Sequence, residues 1–557
     1  MSLITFLILS WFAQQTPVGA IEGTVVQIGT AQPIAKAIVE LSGGGRSPLV
    51  LETNVDGKFA FQSLIPGRYN LKVSRGGYLE NPRGRSISMN AGQAMKDVRI
   101  AMIPLGTVSG RVFDSTGEPL VNVSVRALKY SYEDGRRLLK IITTDTTDDR
   151  GEFRLFWLPP GQYYVSAVPP GRAVEDGHMA SFLAGGQPVR FHADGVPQIG
   201  AGYEIEKLGE RYVPVYYPGT TDLQAASSVI VQPGSDFNGV NFTISRSTPR
   251  KVRGIAVDGA TGQTVRMASV TLVSRTASTL AAVAAPGRSD GTFEFQSVFP
   301  GSYYAVATSR IPLGGGAVRI VGGRTAVDVG NADVDRVVII MSPSLDIAGQ
   351  VTVDGIVDNV AAGKHPIVTL RNDTYRGPDV WAAFRELFAS FNTLDRFVIN
   401  DAIESDYRVD VTDLASGTYI KSIRFGAADL TDGLLHLDPR SRDRIEIVLG
   451  TNVGALEGIV TDKDRRPLAN TTVAIVPDAA LRQRFDLYKS ATTDESGRFR
   501  LEGIAPADYL IFAWEEIEDR LWLDPDFIGR NAAGGRRIRV IERSRENVEL
   551  IAIPFAY

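Results

Sequence analysis

The chain has 557 residues, room for four or five domains at roughly 100–150 residues each. It has no cysteine, which excludes disulfides, thiolate metal sites and cysteine nucleophiles. A net charge of −4 and the lack of any long basic run exclude the electrostatic footprint of a nucleic-acid binder. The 56 Gly and 29 Pro are spread along the chain, as many short strands joined by tight turns require.

Leu3 to Ala13 is an apolar run, too short to span a bilayer as a helix and suited to the core of a secretory signal. Val18-Gly19-Ala20 offers small residues at a cleavage point, so residues 1–20 read as a signal peptide, although no Lys or Arg precedes the run. No later segment is apolar enough for a transmembrane helix.

From there one pattern recurs five times. It opens with a Gly inside a β-rich run: Gly23, Gly110, Gly254, Gly349 and Gly458. A turn and an alternating apolar pair follow, then Pro-Gly-x-Tyr. Repeat 1 has Gly57, Phe59, Phe61 and Pro66-Gly67-Arg68-Tyr69. Repeat 2 has Gly151, Phe153, Leu155 and Pro160-Gly161-Gln162-Tyr163. Repeat 3 has Gly291, Phe293, Phe295 and Pro300-Gly301-Ser302-Tyr303. Repeat 4 is degenerate, with Tyr407 at the turn glycine and Ser416-Gly417-Thr418-Tyr419 at the Pro-Gly turn. Repeat 5 has Gly497, Phe499, Leu501 and Pro506-Ala507-Asp508-Tyr509.

Strict alternation marks half-buried strands, and turn signals at this spacing predict β-sandwiches. The modules span 21–104, 105–247, 248–343, 344–450 and 451–557. Residues 172–228 lengthen the second module, and residues 374–392 the fourth. In the latter, Pro378 followed by Trp381, Phe384, Leu387, Phe388 and Phe391 predicts an amphipathic helix. A second short helix is expected near 478–487. Five modules in open series would make a semi-rigid rod on the order of 100 Å long.

The pattern resembles the carboxypeptidase regulatory-like (transthyretin-like) domain. Repeat 5 matches it closely at Thr493-Asp494-Glu495-Ser496-Gly497-Arg498-Phe499-Arg500-Leu501 and Pro467-Leu468-Ala469-Asn470-Thr471-Thr472-Val473, and repeat 4 most poorly. The resemblance implies an all-β fold of about five tandem immunoglobulin-like (transthyretin/prealbumin-like) β-sandwich modules with short helical insertions. It also implies a structural accessory role, since such modules occur beside peptidases, sugar-active enzymes and outer-membrane receptors. The related label "carbohydrate-binding-like fold" does not by itself establish sugar binding.

No catalytic constellation stands out. The four histidines, His178, His192, His365 and His436, show no metal-ligand spacing, and neither His-Glu-x-x-His nor Gly-x-Ser-x-Gly occurs. The acidic groups at Asp145–Asp149 and Asp462–Asp464 read as turn residues, Asp148 and Asp149 holding the turn at Gly151. A Lys–Asn isopeptide cross-link, known in related adhesin modules, has only loosely placed candidates such as Lys36.

Sugars are recognised by aromatic faces with a few polar groups. The densest such set lies in repeat 2 and its insertion, where Tyr212, Tyr216, Tyr217 and Trp157 are the candidate ligand-binding residues. Trp157 also occupies a core-strand position, so packing competes with that role.

The sequence therefore reads as a non-enzymatic, exported binding or scaffold protein of the bacterial cell envelope, periplasmic, outer-membrane-associated or extracellular. It needs no cofactor, and its partner is a polysaccharide or another envelope protein. Two alternatives stay open: an accessory component of an outer-membrane receptor, and an enzyme whose site lies in the insertion of repeat 2.

Overall fold

The computed structural model describes residues 18–80, 84–133, 136–169, 189–191, 197–199, 211–275, 283–285, 287–314, 317–355, 365–372, 386–393, 395–430 and 434–556. Residues 1–17, which hold most of the expected signal peptide, lie outside this set, as do His178, His192, Pro378, Trp381 and Phe384. The described chain is all-β, with one short α-helix, Pro525–Asn531. No described helix is long and apolar enough to cross a membrane.

The repeated motif explains itself once strands are paired. In modules 1, 3, 4 and 5 the first strand runs antiparallel to the strand carrying the alternating apolar pair and parallel to a closing strand, and in module 2 it lies beside Glu152–Leu158 and runs parallel to Phe242–Ile244. The repeated glycine lies directly across from the first phenylalanine of that pair: Gly23 from Phe59, Gly254 from Phe293, Gly349 from Phe397 and Gly458 from Phe499. The ring folds over the bare backbone. A Cβ on Gly349 would stand 2.0 Å from Phe397 Cζ, and one on Gly254 would stand 2.5 Å from Phe293 Cζ. Close approach of this kind admits only glycine.

The polar members of the motif also serve the fold. Thr53 Oγ1 donates to the Ile34 carbonyl (2.7 Å) and accepts from Ala37 N–H (2.9 Å). Thr147 and Thr493 repeat this with Leu120/Val123 and Leu468/Thr471. The next residue closes the turn: Asp148 accepts from the N–H groups of Arg150 and Glu152, Asp494 from Ser496 and Arg498, and Asn54 from Asp56 and Lys58. The tyrosine of Pro-Gly-x-Tyr reaches back four residues. Tyr69, Tyr303 and Tyr509 donate to the carbonyls of Ile65, Phe299 and Ala505 at 2.8, 2.9 and 2.8 Å. Burial holds the Tyr509 phenol well above its usual range, so it stays a donor.

Two compact units emerge. Among the described residues, one comprises 18–107 with 156–160 and 231–236, and the other holds the remainder. In the first, the sheets Lys58–Leu64/Gly19–Gln27/Ala94–Pro104/Tyr78–Leu79 and Arg46–Glu52/Ile38–Gly43/Gly67–Ser74/Arg85–Met89 enclose a core that includes Ile21, Val39, Phe59, Phe61 and Leu71.

The second unit holds further cores, at Val252–Met341, Ile347–Leu449 and Leu456–Ala552. Module 5 adds another on the outer face of its sheet. There Phe512 and Trp514 stack (4.9 Å between centroids) beneath Trp522, Phe527 and Ile528. Asp524 caps the helix that supplies two of these, accepting from Asp526 and Phe527 N–H, with Pro525 in its first turn.

Three expectations are corrected. First, the motif of module 4 sits elsewhere. Tyr407 donates to the Ile403 carbonyl at 3.0 Å, so Ile403-Glu404-Ser405-Asp406-Tyr407 occupies the Pro-Gly-x-Tyr position and Phe397/Ile399 form the apolar pair. Second, Leu387–Phe391 is a strand paired to Thr369–Leu370 and Phe397–Ile399, not a helix. At 478–487 there are 3-10 turns, Ala479–Leu481 and Phe485–Leu487. Third, the modules of the second unit do not form an open series, because module 5 returns to module 2. Lys129 pairs with Glu518, Arg520 donates to the Tyr132 carbonyl (3.2 Å), and Arg530 donates to Gln162 (3.0 Å).

Candidate ligand-binding surfaces

The four aromatic candidates do not share one face. Tyr216 belongs to the strand Val215–Tyr216, which joins the sheet of module 2 opposite Ser166–Ala167. Its ring is 1% exposed and packs with Leu128 and Leu223. Tyr217, the next residue, points the other way and meets Phe242 edge-on at 5.9 Å. Tyr212 is half-buried beneath the Arg246 guanidinium, 4.6 Å from its centroid, and its hydroxyl accepts from Arg246 at 2.9 Å. Tyr216 thus offers no ring to a ligand, and Tyr212 already stacks on a cation.

Trp157 is different, being 70% exposed, with φ of 59°. It sits at a bulge that recurs one residue before the end of the same strand in other modules, where Ser63, Asp401 and Gly503 take the left-handed conformation at φ of 57°, 63° and 68°. A bulky residue pays a steric cost there, about 1 kcal/mol. The neighbouring Phe156 is also exposed. The core-strand expectation for Trp157 fails because the bulge turns the side chain outward.

The two described histidines, His365 and His436, have separate partners. His365 stacks on Phe391 (4.4 Å between centroids). His436 Nδ1 lies 2.5 Å from Asp406, whose carboxylate also pairs with Arg324. Burial raises the Asp406 pKa, but the His436 hydrogen bond and Arg324 outweigh it and hold the carboxyl below its usual range. Among the described residues no cluster of His, Asp or Glu could hold a metal ion. Asp462 closes a turn on Asp464 and Arg466 N–H, as expected of that acidic group. Lys36 is exposed in a tight turn (φ 55°), away from the core.

A cleft of about 870 Å³ lies where module 4 meets module 5, and no motif or spacing signals it. One wall is the strand Ser405–Thr412 with the loop 413–418. The other is residues 483–489, 500–503 and 543–545. Its charged lining is Arg408, Arg484, Lys489, Arg500, Arg543 and Arg545 against Asp410, Asp413, Asp486 and Glu502, with Thr412, Ser416, Gln483 and Ser544 between. Arg484 is tied down by Asp486 (2.7 Å) and by the Ile420 carbonyl (3.0 Å), which fixes the two walls to each other. Asp410 is engaged by Arg371, and Arg500 by Glu457 and Glu502. Lys489 and Arg545 have no ion-pair partner among the described residues.

Comparison with known proteins agrees with the motif. The carboxypeptidase regulatory-like domain family matches residues 20–102 and 107–187. Those two segments are carboxypeptidase regulatory-like domains. The mouse (Mus musculus) protein "BOS complex subunit NOMO1" is similar to this chain, 30% identical over 161 residues, which is 26% of this chain and 13% of that protein. The human (Homo sapiens) "BOS complex subunit NOMO3" is 32% identical over 135 residues, 24% of this chain and 10% of that protein. The chain thus spans about a tenth of the length of the curated relatives it matches. Among solved structures, a streptococcal ancillary pilin aligns at 12% identity with a TM-score of 0.23, over 58% of this chain and 98% of that one. The threonine and Asx turns recur in both matched segments and in module 5 beyond them, and the glycine–phenylalanine crossing recurs in residues 20–102 and in module 5.

Proposed function

We propose that this chain is a non-enzymatic, exported scaffold of the cell envelope whose tandem modules bind polysaccharide. The observation that carries this reading is how the repeated polar residues are used. In module 5, Thr493, Asp494 and Tyr509 of the motif are bound to backbone groups of their own module, so these repeated polar residues build the sandwich and are not presented to a substrate. What varies from module to module is what projects from the sandwich: an exposed Trp157 in one, a charged cleft in another. Binding surfaces on a fixed scaffold follow that division.

Sedimentation of the purified chain with isolated, insoluble envelope polysaccharide tests the reading, alongside fractionation of cells expressing it. Co-sedimentation, together with recovery outside the cytoplasm of a chain lacking residues 1–20, is expected. A chain that stays in the supernatant, or one retained in the cytoplasm with Met1 in place, overturns it.

A further inference from the structure

We propose that the cleft between modules 4 and 5 is the polysaccharide site and that its ligand is a uronate-bearing oligosaccharide. The proposal rests on the binding reading above and adds a place and a chemistry to it. A volume of about 870 Å³ lies within the roughly 300–1,000 Å³ of ligand pockets, and a junction between modules is a usual place for one.

The lining selects the ligand class. Lys489 and Arg545 face the cleft without an ion-pair partner among the described residues, and Arg543 uses its Nε on Asn452 (2.9 Å). These cations call for carboxylates, which guanidinium groups hold in a planar two-point contact. Yet Asp413 and Glu502 share the same walls. They would repel a densely anionic chain such as an acidic peptide or polyphosphate. A sugar hydroxyl meets both demands, since it donates to a carboxylate and accepts from a guanidinium or ammonium. A polymer with one carboxylate and several hydroxyls per ring fits cations that outnumber, but are mixed with, acids.

The walls are also rigid. The strand Ser405–Thr412 is paired on both sides, to Ile367–Asn372 and to Leu434–Leu437. Arg500 and Arg545 lie on strands flanking Gly454–Thr461. Groups held on paired strands lose little freedom on binding.

The test is titration calorimetry of the full mature chain with a hexagalacturonate, with hexaglutamate and cellohexaose as controls. Hexagalacturonate is expected to bind, salt-sensitively, and at least tenfold more weakly to the Lys489→Ala/Arg545→Ala variant. A Lys489→Glu/Arg545→Glu variant should abolish binding. Unaltered melting of each variant excludes misfolding as the cause. Equal binding of hexaglutamate overturns the sugar assignment. Loss of binding in Trp157→Ala, with the cleft variants unaffected, overturns the place. No binding of hexagalacturonate to a chain that still sediments with envelope polysaccharide overturns this proposal and leaves the reading beneath it standing. Failure of both overturns both.

Discussion

Lys129 and Glu518, 389 positions apart in the chain, form an ion pair in which the lysine side chain is only 7% exposed. The ammonium lies 5.4 Å above the ring of Tyr163, the tyrosine of the Pro-Gly turn of module 2. Alongside, Tyr132 of module 2 packs on Phe485 of module 5 at 6.3 Å between ring centroids. Phe485 also lines the cleft shared by modules 4 and 5, so the contact with module 2 braces one wall of that cleft.

Removing one partner should therefore cost more than a surface ion pair would. Glu518→Gln removes the counter-charge that module 5 supplies to this ammonium, at about 2 kcal/mol given that the glutamate itself is partly exposed. Adding Lys129→Met, which keeps the apolar stem, should recover most of that. Hydrogen exchange at residues 518–523 and in the strand Ser124–Glu133 reads the effect locally, as a chain of several modules requires. Equal protection in the wild type and in Glu518→Gln would show that the pair does not hold the modules together.

The placement of the motif in module 4 can be checked with two tyrosines. Tyr407 is buried, its hydroxyl donates to Ile403, and burial pushes its pKa up to about 12. Tyr407→Phe leaves that carbonyl short of a partner and should destabilise the module by about 1–2 kcal/mol. The Tyr419 hydroxyl makes no hydrogen bond among the described residues, and its ring packs against the core of module 5. Tyr419→Phe should cost less than about 0.5 kcal/mol. Denaturant melts followed by exchange of the strand Ser405–Thr412 compare the two, and the reverse ranking would restore Tyr419 as the motif tyrosine.

Asp406 gives module 4 a pH dependence with a defined sign. Its carboxyl, raised by burial but lowered further by His436 and Arg324, titrates below its unfolded value in the folded chain. Its contribution is thus fully present above the unfolded pKa of about 3.9 and is lost as pH falls through the lower folded value. Unfolding of wild type and Asp406→Asn followed between pH 6 and pH 2.5 should converge at the acid end. Parallel curves across that window would show that the His436–Asp406–Arg324 contact does not stabilise the fold.

The all-β class and the repeating unit were legible in the amino-acid sequence because their causes are local. A glycine must face a phenylalanine one strand away, an Asp must close a turn two to four residues on, and a Tyr must reach a carbonyl four residues back. Each such demand leaves a residue type at a fixed spacing. Module 4 was misplaced because it keeps the tyrosine but has lost proline and glycine, so Tyr419, after a Ser-Gly turn, imitated the pattern. The strand Leu387–Phe391 was misread because a short run of apolar residues fits helical spacing and strand alternation alike, and only pairing with Phe397–Ile399 settles it.

The candidate site was the less legible part. Aromatic content pointed to Tyr216 and Tyr217, but which face of a strand is buried depends on what packs above it, and the sheet of module 2 claims Tyr216. The outward turn of Trp157 depends on a bulge, a matter of strand register and not of residue type. The sandwich and its repetition were readable because turns and paired strands within one module set them. Tertiary structure alone decided the cleft and the return of module 5 to module 2. Arg408 and Arg545 line one cleft, and Lys129 meets Glu518, only because whole modules pack, and relations between residues so far apart leave no spacing to read.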